Sequence, residues 1–320
     1  MDDDAAFPGL ETLNEAQAFS KQKIAAVRRE ILNSVGGVPP FGVVVCGSYG
    51  RLEASDQSDF DYFLIVEDES HRGAAEEFQT VMEDIIDTGI GKQPSSGGPF
   101  SAIELLDVMT RNLGGMDDPN DKLTRRMLFL LESRCLVNDN LYATFRDRLL
   151  ERYVPDDVRE ENFARFLLND LIRYYRTMCV DFEYKTREQS KPRGVRNIKL
   201  IFSRKLLYFA GVLAVARTAG LPASEKRAAL RESFDKPPIA RLAEECGDEA
   251  RPALARYNAF LERLGNDEVR GKLECEEVQA GSDDPIYREL KDKGEKFSRE
   301  LEQAINVLPD PDRIRHAMMF

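Results

Sequence analysis

The sequence predicts an α+β fold in two parts: a mixed α/β domain over residues 1–140 and an all-helical domain over 141–320. Three observations carry it. Two short β-rich runs, VVVC (43–46) and FDYFLIV (60–66), lie close together near the N-terminus. Segments of helical periodicity flank them. From about Asn162 onward the apolar residues repeat only at helical spacing.

In chain order, residues 12–34 place Leu13, Ala16, Phe19, Ile24, Val27 and Ile31 at helical spacing, and GGVPPFG (36–42) ends that helix. The two β runs follow. Residues 74–86 put Ala75, Phe78, Met82 and Ile85 on one face, an amphipathic helix. GIGKQPSSGGPF (89–100) reads as a loop. Its GIGKQ echoes a phosphate-binding loop, but Ile86 stands where the first glycine is needed and Gln93 where Ser or Thr is needed. GPFSAIEL (98–105) is a strand candidate, and Leu123–Leu136 is expected to be helical. PDDVREE (155–161) and SDDPIYREL (282–290) read as helix starts, with acids near the positive end of the dipole. Long helices are expected over 162–185, over VRNIKLIFSRKLLYFAGVLAVA (195–216), and over 284–306.

The composition bounds the chemistry. A chain of 320 residues with 42% hydrophobic content can bury one large or two ordinary cores. A formal net charge of −12 is not the footprint of a general nucleic-acid binder, so any RNA or DNA needs a local basic patch. The acidic start MDDDAAFPGLE lacks the features of a signal peptide. The longest apolar run, Leu206–Ala216, is too short to span a bilayer, so no membrane is expected. The five cysteines are scattered, without CxxC spacing, and His71 and His316 are the only histidines. A zinc site or disulfide framework is therefore not expected, and a reducing cytoplasmic compartment fits.

The chemistry concentrates in VVVCGSYGRLEASDQSDFDYFLIV (43–66). Side chains alternate across a strand, so Asp59 and Asp61 share one face while Phe60 and Tyr62 take the other. Two carboxylates that close repel unless a cation sits between them. All-oxygen ligation suits Mg²⁺ or Mn²⁺, which commonly take one or two carboxylates plus substrate phosphates. Gly47-Ser48 supplies the complement: backbone N–H groups and a hydroxyl for a phosphate, with no Cβ at residue 47 to block the approach. Either half alone is commonly a solvated rim or a plain turn. Together, with ten residues between Ser48 and Asp59, they describe a metal–nucleotide site.

This pattern resembles the signature of the DNA polymerase beta nucleotidyltransferase superfamily. In its finer form, GSYGRLEASDQSDFDYFL (47–64), it is similar to the branch of the uridylyltransferases that modify the PII signalling protein and related nucleotidyltransferases. The matching residues are Ser48, Tyr49, Gly50, Arg51, Glu53, Ser58, Asp59 and Asp61. The resemblance implies a short mixed sheet with flanking helices, and divalent metal held by Asp59 and Asp61. It implies nucleotide contacts from Gly47, Ser48, Tyr49, Gly50 and Arg51, and attack of an acceptor on the α-phosphorus of an NTP with release of pyrophosphate. It also implies a third carboxylate on a later strand. Glu104, the acid of the strand candidate, and the following Asp107 are the candidates.

A looser likeness extends into the helical half. LLESRCLVND (130–139) is similar to the linker helix of that branch, and Lys185, Gly194, Val195 and Arg196 match a motif of its next domain, with Asn197 where relatives often carry Asp. Asp170, Arg173, Thr177 and Asp181 are expected on one polar helix face, and Arg196, Lys199 and Ser203 on another. Lys185, Arg196 and Lys199 are thereby candidate nucleotide ligands, with a solvated helix face as the plainer reading. Lys191, Arg193, Arg196, Lys199, Arg204 and Lys205 form the best basic patch. The expected function is metal-dependent transfer of an NMP to a protein side chain, ATP being one candidate donor. A small molecule or tRNA is the alternative acceptor, and a non-catalytic nucleotide-binding module is the alternative of another class.

Overall fold

The computed structural model describes residues 7–94, 100, 102–275 and 284–319. The protein is α+β: a small four-stranded mixed sheet near the N-terminus, with helices around and after it. Two compact units are distinguished. One comprises Glu15–Phe166 and Thr218–Pro237; the other comprises Met1–Asn14, Leu167–Arg217 and Pro238–Phe320.

In the first unit the order is α1 (Glu11–Val35), β1 (Phe41–Val45), the four-residue turn α2 (Gly47–Gly50), β2 (Tyr62–Val66), α3 (Arg72–Gly89), β3 (Ile103–Leu105), α4 (Leu106–Thr110), α5 (Asn120–Glu132), β4 (Arg134–Val137) and α6 (Asp139–Tyr153). The sheet order is β3-β2-β1-β4. β1 and β2 run antiparallel from Phe41↔Val66 to Val45↔Tyr62, and β3 joins parallel with Ile65 opposite Glu104. Every residue of β1 and β2 is buried, because both faces are covered. Phe41, Val43, Val45, Tyr62, Leu64 and Val66 pack with Val27 and Ile31 of α1 and Phe78, Met82 and Ile86 of α3. Phe63, on the opposite face, meets Phe129 of α5 at 6.1 Å, and Phe129 meets Phe145 of α6 at 6.0 Å.

The helix expected over Leu123–Leu136 is corrected. It ends at Glu132, Ser133 turns extended (φ −83°, ψ 154°), and Arg134–Val137 becomes β4, antiparallel to β1. The apolar run continues the helical rhythm, but the exposed edge of β1 captures it as a strand. PDDVREE is likewise not a helix start. It forms turns, with the Val158 N–H donating to the Pro155 carbonyl at 3.1 Å, and the next helix begins at Arg165. The GPFSAIEL strand is realised over Ile103–Leu105, while 95–99 and 101 lie outside the described residues.

The other unit holds α7 (Arg165–Arg187), which begins at the unit boundary, then α8 (Gly194–Lys199), a π-helical segment (Leu200–Arg204) and α9 (Lys205–Ala216). The segment α10 (Ala223–Asp235) belongs with the sheet. Its buried Lys226 donates to the carbonyls of Glu160 and Thr218 at 2.9 and 2.7 Å, and Arg231 accepts from Arg146 of α6 at 3.0 Å through its carbonyl. The helical unit closes with α11 (Pro238–Cys246), α12 (Arg251–Gly265), α13 (Asp267–Glu274), α14 (Pro285–Ala304) and α15 (Pro311–Met319). Asp284 caps α14, its side chain accepting from the Tyr287 N–H at 2.8 Å; 282 and 283 lie outside the described residues. Gly194 is required by a close approach, since a Cβ there would stand 2.1 Å from the Leu273 carbonyl oxygen. Phe202 of the π segment stacks on Phe260 at 4.4 Å.

Candidate active site

The site is built where β1 hands over to β2. Pairing continues one step past the strands: the Cys46 N–H donates to the Asp61 carbonyl at 2.8 Å. The chain then turns at Gly47, whose φ of +63° favours glycine. An ideal Cβ at Gly47 would stand 2.3 Å from Asp61 Oδ2, so the turn and the carboxylate are in direct contact. Asp59 and Asp61 lie just before β2, which begins at Tyr62, and burial alternates there: both acids are half-buried, while Phe60 and Tyr62 are 0% and 1% exposed. Phe60 is held from two directions. Its ring lies 4.9 Å from that of Tyr49, and its N–H donates to the Lys92 carbonyl at 3.1 Å. Between the turn and the acids, SDQS (55–58) folds as a tight loop, Ser58 Oγ accepting from the Ser55 N–H at 3.0 Å.

Tyr49 is buried beneath this loop. Burial, reinforced by Asp56 and then Asp59, pushes its phenol up to about 12, so it stays neutral across the physiological range. It is a wall of the site and packs between Phe19 and Phe60.

The turn's donors differ from the simplest expectation. The Gly47 N–H is engaged by Glu132 Oε1 at 3.2 Å. The Ser48 and Tyr49 N–H groups and the Ser48 hydroxyl make no hydrogen bond among the described residues, and these are the donors a phosphate can use. Arg51 is buried. Its Nε meets Glu53 Oε1 at 2.5 Å and its Nη1 meets Glu132 Oε2, so its guanidinium holds the turn from inside. Gly50 lies so close to the end of α5 that a Cβ would stand 2.1 Å from the Glu132 carbonyl oxygen. Glu132 and Lys92 carry no sequence signal for these contacts: Glu132 reaches Gly47 across 85 positions.

Glu104 and Asp107 do not join the pair. Glu104 stands opposite Ile65, four residues beyond Asp61. That is roughly 13 Å along a strand rising about 3.3 Å per residue. Its carboxylate lies 2.9 Å from Arg125 Nη1 of α5, and burial still raises its pKa above the ordinary range against that attraction. Asp107 is an exposed residue of α4 paired with Arg111 one turn on. The segment GGPFSA (97–102), which precedes β3 in the sequence, contains no acid.

The remaining candidates belong to the helical unit. Lys185 pairs with Asp181 at 2.8 Å. Arg193 and Arg196 lie over the Phe182 ring at 5.2 and 5.1 Å, and Lys205 Nζ donates to Ser298 Oγ at 2.5 Å. Lys199 is an exposed residue of α8. Asp170 is buried, with Arg173 at 3.8 Å, rather than on a solvated face.

No group of three or more His, Cys, Asp or Glu placed to hold a metal ion is found among the described residues. Asp61 against the glycine turn, with Asp59 two residues before it, nevertheless fits Mg²⁺ or Mn²⁺ arriving on a nucleotide, because phosphates and water complete such a shell.

A buried strand, a glycine turn and a returning strand with two acids just before it suit a nucleotidyltransferase. Residues 14–94 match the family model described as "Putative nucleotidyltransferase DUF294", a span that includes the turn and both acids. The match supports a nucleotidyltransferase assignment and general nucleotidyl transfer for this part of the chain. No curated protein matches the chain. No helix among the described residues is long and apolar enough to cross a membrane.

Proposed function

We propose that the protein transfers a nucleoside monophosphate from an NTP to a protein side chain, releasing pyrophosphate. The observation that carries this reading is the contact between Asp61 and the Gly47 turn, with the half-buried Asp59 two residues before it. Nucleotide phosphates bind the free N–H groups of Ser48 and Tyr49 and the Ser48 hydroxyl. Asp59 and Asp61 hold Mg²⁺ or Mn²⁺, which supplies charge neutralisation at the reacting phosphate. The acceptor oxygen bonds to the α-phosphorus as the bond to pyrophosphate breaks, and the acceptor's proton passes to water. The protein acceptor follows the likeness of 47–64 to the PII-modifying branch. Lys185, Arg196 and Lys199 are proposed to bind the triphosphate, and the cytoplasm is the proposed compartment.

One observation favours a second reading. With no third acid beside the pair among the described residues, the domain could bind a nucleotide without turning it over. The experiment is incubation of the protein with each α-labelled NTP, Mg²⁺ or Mn²⁺ and a cell lysate. Labelled protein with released pyrophosphate supports the proposal. Label on a small molecule or on tRNA replaces the acceptor. Nucleotide binding without pyrophosphate release establishes the binding module instead.

A further inference from the structure

The junction between α5 and β4 lies beyond the residues matched to the family, yet it grips the nucleotide turn from several directions. One carboxylate reaches both ends of that turn: Glu132 Oε1 accepts from the Gly47 N–H at 3.2 Å, and Oε2 accepts from Arg51. Two residues on, Arg134 Nε donates to the Gly50 carbonyl at 2.9 Å. Between these two contacts the Glu132 main chain presses into the place where Gly50 has no Cβ. The Glu132 side chain is fully buried and Arg51 nearly so, which makes these bonds strong and their loss costly. A four-residue turn has too few internal hydrogen bonds to fix itself. Its left-handed Gly47 is the position whose freedom must be removed.

We infer that this junction is the positioning device of the nucleotide turn, and that Glu132 and Arg134 are positioning residues for nucleotidyl transfer. The inference rests on the proposed function. Neither residue need touch the nucleotide. Together they hold the Ser48 and Tyr49 N–H groups in register with Asp59 and Asp61, so that binding does not have to order the turn.

The test uses the full-length protein and the variants E132A, E132Q and R134M. Hydrogen exchange is followed in the peptide covering 46–53, and affinity is measured for ATP, GTP, CTP and UTP, each with Mg²⁺. E132A is expected to lose protection in that peptide while β1 and β2 keep theirs. Its affinity for the nucleotide bound by wild type should fall about tenfold or more, the scale of a lost hydrogen bond to a charged group. E132Q, which keeps an oxygen for the Gly47 N–H, should recover most of both. R134M, altering a half-exposed side chain, decides the matter should E132A fail to fold, and it too should weaken binding. Wild-type affinity and exchange in R134M and in folded E132A would overturn the positioning role alone. A wild-type protein that binds none of the four nucleotides would overturn the proposed function, and the positioning role with it.

Discussion

Asp61 occupies the space beside Gly47 that any other residue would fill: its Oδ2 lies 2.3 Å from where a Cβ would stand. The glycine is required twice, by its backbone angle and by its neighbour. The Gly47→Ala variant should therefore lose about 1–2 kcal/mol from the left-handed conformation, before any shift of Asp61. Chemical denaturation should report that loss. Nucleotide binding should fall further than the stability change explains, because the displaced group is a proposed metal ligand. An alanine variant with normal stability and binding would show that the turn adapts freely.

Asp59→Asn and Asp61→Asn keep shape and remove charge. Each is expected to reduce label transfer at least about a hundredfold with little change in melting temperature, as for groups acting in the transition state. Ser48→Ala should instead raise KM for the NTP more than it lowers kcat. Steady-state kinetics separate the two patterns, and near-normal turnover in either asparagine variant would dismiss the site.

Glu104 gives a pH prediction. Its folded pKa is raised above the ordinary 4.5, first by burial, so the native state holds a proton that the unfolded chain has lost. Stability from this group is thus present below pH 4.5 and lost as pH rises through the raised folded value. Glu104→Gln should remove that loss, so its stability relative to wild type should improve from pH 4 to pH 7. Melting curves at both values check the sign. The same variant should retain label transfer, since Glu104 is distant from the pair along its strand.

Arg126 and Asp118 form a two-bond ion pair, both contacts 2.7 Å and both side chains 0% exposed, with Arg126 also donating to Tyr153 at 3.1 Å. Asp118→Asn should cost about 3–5 kcal/mol by leaving a buried guanidinium without its counter-charge. Urea titration measures it, and a loss below about 1 kcal/mol would mean that water reaches the pair.

The heart of the site was legible because it is local. Gly47, Ser48, Asp59 and Asp61 fall within one short stretch, and burial alternates over Asp59, Phe60, Asp61 and Tyr62 although β2 itself begins only at Tyr62. What escaped depends on distant chain. Glu132 meets Arg51 and Gly47 across 81 and 85 positions, so Arg51 read as a nucleotide contact rather than an internal brace. β4 escaped because RCLV is short and follows helical rhythm, and only pairing with β1 makes it a strand. Glu104 drew notice as the acid of its strand, but register, which sequence does not reveal, sets it opposite Ile65.

The return of α10 to the sheet-bearing unit has a consequence for biosynthesis. Lys226 and Arg227, made after α7–α9, supply the cations that bind the carbonyls of Glu160 and Val154. A nascent chain that has just released Phe166 from the ribosome thus lacks a wall of its first unit. That unit can close only after the intervening helices, part of the second, have emerged. At roughly 5–20 residues per second the wait lasts several seconds, a window in which the incomplete unit exposes apolar surface and is open to chaperones.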